Sequence, residues 1–237
     1  DAGTADLMRL AAAAALALLA LPAAAEITAA RFSAPNDRYD HDILGETPDW
    51  GALDLTLTDG RTLRYRLPEA LVFEDIEPRL ADLDGDGAPE VIVVEASPAR
   101  GARLAVWGET GRVAAGPHYG QPHRWLAPLG AADLDGDGRV EIAYIDRPHL
   151  AKVLVVVRLD GGRLVPLAEA PGLTNHRIGD ALIQGGIAWC GAGAVIVTAT
   201  ADWTGVAETR FDGRRLTTRV VGPYEGPESL ERRLGCN

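Results

Sequence analysis

From Glu26 onward, apolar and polar residues alternate with a period near two, the mark of β-strands with one buried face. Four stretches read as β-hairpins: DLTLTDGRTLRYRL (54–67), LAVWGETGRVAAG (104–116), LVVVRLDGGRLVPL (154–167) and AETRFDGRRLTTRV (207–220). Three turn on Asp-Gly, at Asp59, Asp160 and Asp212, where glycine accepts the positive φ of a tight turn. Gly60, Gly111, Gly161 and Gly213 recur at intervals of 51, 50 and 52 residues, so the chain repeats one unit four times. A continuous apolar run precedes each of the last three hairpins, at 90–96, 141–146 and 194–201, whereas DHDILGE (40–46) fills that slot before the first. The pairs Asp49-Trp50 and Asp202-Trp203, each ten residues before its Asp-Gly turn, support the register.

A fourth strand per unit is expected from ALVFEDIEPRL (70–80), HRWLAPLG (123–130) and NHRIGDALI (175–183). No sustained helical period follows residue 25. The expected fold is therefore all-β, a small β-propeller of four blades of about 51 residues over 26–237. An irregular β-sandwich is the alternative. In the ring, a strand near Ile27–Phe32 or Tyr39–Leu44 is expected to complete a sheet begun by the C-terminal segment, leaving no open edge.

The segment before Glu26 has a different pattern. Met8-Arg9 leads into the apolar run 10–21 and the small-residue end Ala23-Ala24-Ala25, which reads as a cleaved secretory leader over residues 1–25. The apolar run is shorter than the roughly 20 residues a spanning helix needs. The expected location is therefore periplasmic or secreted, with no membrane span after cleavage. A net charge of −11 excludes a nucleic-acid binder, which needs a basic footprint. The two cysteines, Cys190 and Cys236, are expected to form one disulfide in an oxidising compartment.

The repeat also carries a chemical phrase. Asp82, Asp84 and Asp86 alternate ahead of Gly87, and Asp133, Asp135 and Asp137 do so ahead of Gly138. Three carboxylates so spaced wrap oxygens around one point, as calcium requires, and the glycine permits the sharp turn. The carbonyls of Ala88 and Arg139 and the side chains of Glu90 and Glu141 are candidate further ligands. Two calcium sites are expected. Val93 and Tyr144 stand where a helical calcium hand needs a bidentate Glu, and no His or Cys joins the set, so zinc is disfavoured. A solvated acidic turn is the plainer reading.

These two phrases resemble the calcium loop of the FG-GAP/VCBS-type repeat proteins, whose blades carry Asp-x-Asp-x-Asp-Gly-x-x-acid before a strand. The resemblance implies a β-propeller, bound calcium, and adhesive, ligand-binding or structural roles, with some members fused to enzymes. The corresponding third slot, GDALIQGGIAWCGAG (179–193), lacks the carboxylates, and no metal is expected there.

Beyond the metal, His123-Arg124-Trp125 and Asn175-His176-Arg177 occupy similar places in successive units, and His41 lies in the first. On one face of a ring they would offer cationic donors and an apolar platform to a protein, a carbohydrate or a small acidic ligand. The competing reading is that they bond backbone carbonyls and Asp side chains between blades. Nothing resembles a nucleophile elbow or a phosphate loop. The expected function is a monomeric, calcium-stabilised binding or structural module. The rival is a periplasmic hydrolase-like enzyme using the His/Arg face.

Overall fold

The computed structural model describes residues 25–189, 191 and 193–236. The leader expected over 1–25 therefore lies outside the described residues, save Ala25, and so does Cys190. Among the described residues, no helix is long and apolar enough to cross a membrane.

The chain is all-β, with several sheets, apart from one short helix. The first group of strands is β1 (Ile27–Asn36), β2 (Asp49–Leu57) and β3 (Thr62–Arg66). The second is β4 (Val72–Phe73), β5 (Arg79–Ala81), β6 (Glu90–Ser97), β7 (Gly101–Gly108) and β8 (Gly111–Ala115). The third is β9 (Leu126–Ala132), β10 (Glu141–Asp146), β11 (Val153–Asp160) and β12 (Arg163–Pro171). The fourth is β13 (Leu173–Thr174), β14 (Gly186–Trp189), β15 (Ala194–Thr200), β16 (Gly205–Phe211) and β17 (Leu216–Pro223), followed by α1 (Pro227–Leu234).

Every pairing is antiparallel, and the third group is a plain meander in the order β12-β11-β10-β9. All four expected hairpins are present, as β2–β3, β7–β8, β11–β12 and β16–β17. The four turn glycines that set the repeat all have positive φ, between 55° and 116°.

Apolar side chains fill the space between successive groups. Leu53, Leu55 and Phe73 meet Val91, Val93 and Trp107 between the first and second. Ile92, Val94 and Val106 meet Ile142, Val155 and Val157 between the second and third. Ile145, Leu154 and Val156 meet Ile196 and Ala207 between the third and fourth. Strands buried on both faces lose polar alternation, and β6 is buried at every residue. The outer face of the fourth group packs on α1 through Leu230 and Leu234.

The main chain is also tied to two groups wherever it crosses between them. Phe73 pairs with Trp50 of β2 and with Glu95 of β6. The Arg124 carbonyl accepts the Ala102 N–H of β7, and the Trp125 carbonyl accepts the Arg147 N–H just beyond β10. The N–H groups of Gly172 and Leu173 donate to the Lys152 carbonyl, while Leu173 pairs with Thr200 of β15. Gly101 is needed at the second crossing: a Cβ there would lie 2.2 Å from the Gln121 carbonyl oxygen.

Four expectations are corrected. β1 pairs with β2 rather than with the C-terminal segment, because the connection 37–48 turns the chain straight back beside it, in a register from Ile27↔Leu57 to Asn36↔Asp49 with one irregularity between Ile27 and Ala29. Residues 40–46 form a turn region, and 175–183 form a loop whose strand neighbours are β13 and β14. The helix α1 lies in PESLERRL, where Pro at the first turn, Glu228 near the N-terminus and Arg232 and Arg233 near the C-terminus favour it. Eight residues are too few to show a helical period.

Candidate functional site

Both acidic loops have the same construction. Leu83 and Leu134, at the second position, are buried in the core and anchor the loops. Asp82 Oδ1 and Oδ2 accept the N–H groups of Gly85 (2.8 Å) and Gly87 (3.0 Å), and Asp133 accepts those of Gly136 (2.7 Å) and Gly138 (2.9 Å). These bonds coil the backbone around the first carboxylate, and Gly85, Gly87, Gly136 and Gly138 all take the positive φ this requires. Asp84 and Asp135 accept from the N–H of Asp86 and Asp137, which in turn accept from Ala88 and Arg139. Glu90 and Glu141 reach back to the N–H of Leu83 (2.8 Å) and Leu134 (2.9 Å), closing each loop.

This donor set fits a hard cation. Carboxylate oxygens of Asp82, Asp84 and Asp86 lie within 4.8 Å of one another, as do those of Asp133, Asp135 and Glu141. The loops differ in one respect. Arg158 of β11, directly opposite Glu141 in the ladder, bonds Glu141 and lies 3.0 Å from Asp137 and 3.6 Å from Asp135. In the first loop the equivalent step past Val91↔Trp107 brings Gly108, with no cation. Burial raises the pKa of both Glu90 and Glu141.

The crossings place the other candidate residues. The ring of His41 stacks on that of His123 (4.9 Å between centroids, 10° between planes), and Tyr39 takes the His123 N–H on its hydroxyl. Trp125 is buried and donates Nε1–H to the Glu74 carbonyl, 2.8 Å away. His176 is fully buried against the Trp125 edge, with Nδ1 3.1 Å from His149 Nε2. Asn175 is buried too, donating to the Ala127 carbonyl. Arg177 leaves this cluster and lies 4.4 Å from the Trp203 ring centroid.

His41, His123, Arg124, Trp125, Arg147, His149, Leu150 and Ile178 thus border one pocket of about 240 Å³. Arg147 is held by Asp146, whereas Arg124 has no carboxylate partner among the described residues. Burial lowers the pKa of His41 and His176, and burial together with His176 takes His149 down to about 4, so these rings are neutral donors and acceptors at neutral pH.

Several residues here were not singled out from the sequence. Glu74 is buried and bonds His41 Nδ1. Asp75 is buried and paired with Arg79. Burial, then the charge of Asp75, raises the pKa of Glu74, and burial, then the charge of Glu74, raises that of Asp49 to about 7. The available signal was positional: Glu74-Asp75 occupy the slot of the unit that holds His123 and His176 later. Cys236 Sγ lies 3.2 Å from the Trp189 carbonyl oxygen, next to Cys190, which lies outside the described residues.

Comparison with known proteins adds three findings. No curated protein matches the chain. Among solved structures, it is similar to rhamnogalacturonan lyase YesW at 17% identity and a TM-score of 0.49, covering 84% of this chain and 51% of that one. It is similar also to the exotype rhamnogalacturonan lyase YesX at 18% identity and a TM-score of 0.49, covering 84% and 47%. The chain therefore spans about half the length of these structures. Residues 82–144, the stretch containing both acidic loops, match the FG-GAP-like repeat, so this stretch is an FG-GAP-type repeat.

Proposed function

We propose that the protein is an exported, calcium-stabilised β-propeller of four blades that works as a binding module. The four strand groups are its blades, the two acidic loops hold structural calcium, and a Cys190–Cys236 disulfide fixes the C-terminal segment. In this reading calcium is an oxygen-bound counter-ion that joins each loop to the strand after it. Glu90 and Glu141 hold the loop shape through Leu83 and Leu134, and the aspartates supply the charge.

The observation that carries the binding role is the convergence of chain segments from all four groups on one pocket. Four of the five histidines lie in or beside it, together with the guanidinium of Arg124, which has no carboxylate partner among the described residues and donates to the His123 carbonyl. Neutral imidazoles, a guanidinium and the exposed apolar side chains of Leu150 and Ile178 suit a small acidic ligand with an apolar or sugar-like body. Titration calorimetry with paired acidic and neutral oligosaccharides tests this. Binding of the acidic members, weakened about tenfold or more in Arg124→Gln, is expected. Equal affinity for neutral members, or no effect of the substitution, rejects it.

A further inference from the structure

A second cavity, of about 500 Å³, opens beside the histidine pocket between residues 36–49 and Glu74-Asp75. Seven carboxylates border it: Asp37, Asp40, Asp42, Glu46, Asp49, Glu74 and Asp75. No Lys, Arg or His does. Among the described residues, only the two deepest are paired, Glu74 with His41 and Asp75 with Arg79. Glu74 is 3% exposed, and its Oε2 has no hydrogen-bond partner among the described residues.

A buried carboxylate oxygen without a donor has lost its hydration and gained nothing in return. It persists where something else satisfies it. We propose that this cavity binds an organic cation, an ammonium or guanidinium group whose N–H donors reach Glu74 Oε2 and the carboxylates around it.

Three features select that chemistry. The wall is of one charge, so it attracts cations and repels anions. Its carboxylates are dispersed, whereas the groups close enough to hold a metal ion among the described residues are those of the two acidic loops. An ion with several separated donors suits dispersed oxygens better than a bare divalent ion, which needs them gathered at one point. Tyr39, Ile43, Leu44 and Pro48 supply apolar wall for the carbon body of such a ligand. Burial raises the pKa of Glu74, and an adjacent cation would favour its charged form. The cavity adjoins the histidine pocket at Ile43 but has its own lining of carboxylates, so a cationic probe here and an acidic probe there test the two proposals separately.

The test is titration calorimetry of the full chain in calcium, with agmatine as probe and the neutral pentan-1-ol as control. Saturable agmatine binding is expected, weakened about tenfold or more in Glu74→Gln. It should be unchanged in Glu231→Gln, an exposed carboxylate on α1 outside the cavity lining. Should Glu74→Gln fail to fold, as circular dichroism would show, the half-buried Asp49→Asn takes its place with the same expectation. No saturable binding at millimolar agmatine, equal binding of pentan-1-ol, or full affinity in the carboxylate variant overturns the proposal. Manganese binding that is lost in the same variant and displaces agmatine also overturns it, by assigning the cavity to a divalent ion.

Discussion

The two acidic loops should respond unequally to calcium, and the difference can be worked from Arg158. A loop with affinity typical of exported modules, about 0.1–1 mM, stabilises the fold at about 10 mM calcium by roughly 1.4–2.7 kcal/mol through mass action. For a domain of this size that is about 3–10 °C in Tm. The first loop has no cation to displace. In the second, calcium must take Asp135, Asp137 and Glu141 from a guanidinium that already touches all three. Charge-assisted bonds of this kind are among the stronger ones in proteins, so a penalty of about 1.4 kcal/mol, one decade in affinity, is modest. The second loop then adds about 1.4 kcal/mol or less at the same calcium concentration. Scanning calorimetry with and without calcium should therefore show Asp84→Ala losing most of the shift and Asp135→Ala keeping most of it. Arg158→Gln should lower the calcium-free Tm, by leaving Glu141 buried and unpaired, and enlarge the shift. Equal losses in the two Asp variants would refute the role given to Arg158. An undiminished shift in the double variant would refute calcium binding in the loops.

Three further outcomes are expected. Glu95 is fully buried and bonds Arg103, Arg112 and Trp107 Nε1, so Glu95→Ala should cost about 3 kcal/mol or more in urea unfolding, and a loss below about 1 kcal/mol would contradict that network. A carboxyl whose folded-state pKa is raised favours the folded protein at low pH and loses that contribution as pH climbs through the raised value. Asp49, raised to about 7 by burial and Glu74, should therefore make Asp49→Asn match wild type near pH 4 and gain on it by pH 8, whereas a variant that falls behind with rising pH is inconsistent with the shift. Alkylation of the exported protein followed by intact mass should label neither Cys190 nor Cys236 until reductant is added, and two labels beforehand would mean that the bond does not form.

Features written in short, contiguous stretches were legible in the sequence. The hairpins follow from Asp-Gly turns between alternating strands, and the acidic loops follow from DLDGDG, whose Leu reads as apolar and lies in the core. Features that depend on the lateral pairing of distant strands were not. Arg158 in VVVRLD looks like an outward strand residue until the ladder sets it opposite Glu141. Glu74-Asp75 lies within the strand expected over 70–80, and only the crossing carries it inward, where His41 meets it from 33 residues away. Trp125, read from the sequence as a platform on the ligand face, borders the pocket, while its own crossing buries most of it and turns its N–H to the Glu74 carbonyl. β1 was misplaced for a similar reason, since nothing within its own ten residues chooses between the two edges of a ring and only the lateral pairing decides.

The crossings bear on how the chain comes apart. In an array of repeats, stability divides into a term for each unit and a coupling between neighbours, and the coupling decides whether units melt singly or together. Here each crossing lies within two ladders or their extensions, so releasing one group strips backbone bonds from the next as well as apolar contacts. Loss of one group also uncovers a buried apolar face on its neighbour. Both effects raise the boundary energy between a melted unit and an intact one. Partly melted chains, with their open strand edges, are thereby kept rare, which would matter under the proposed export, where cytoplasmic chaperones are out of reach.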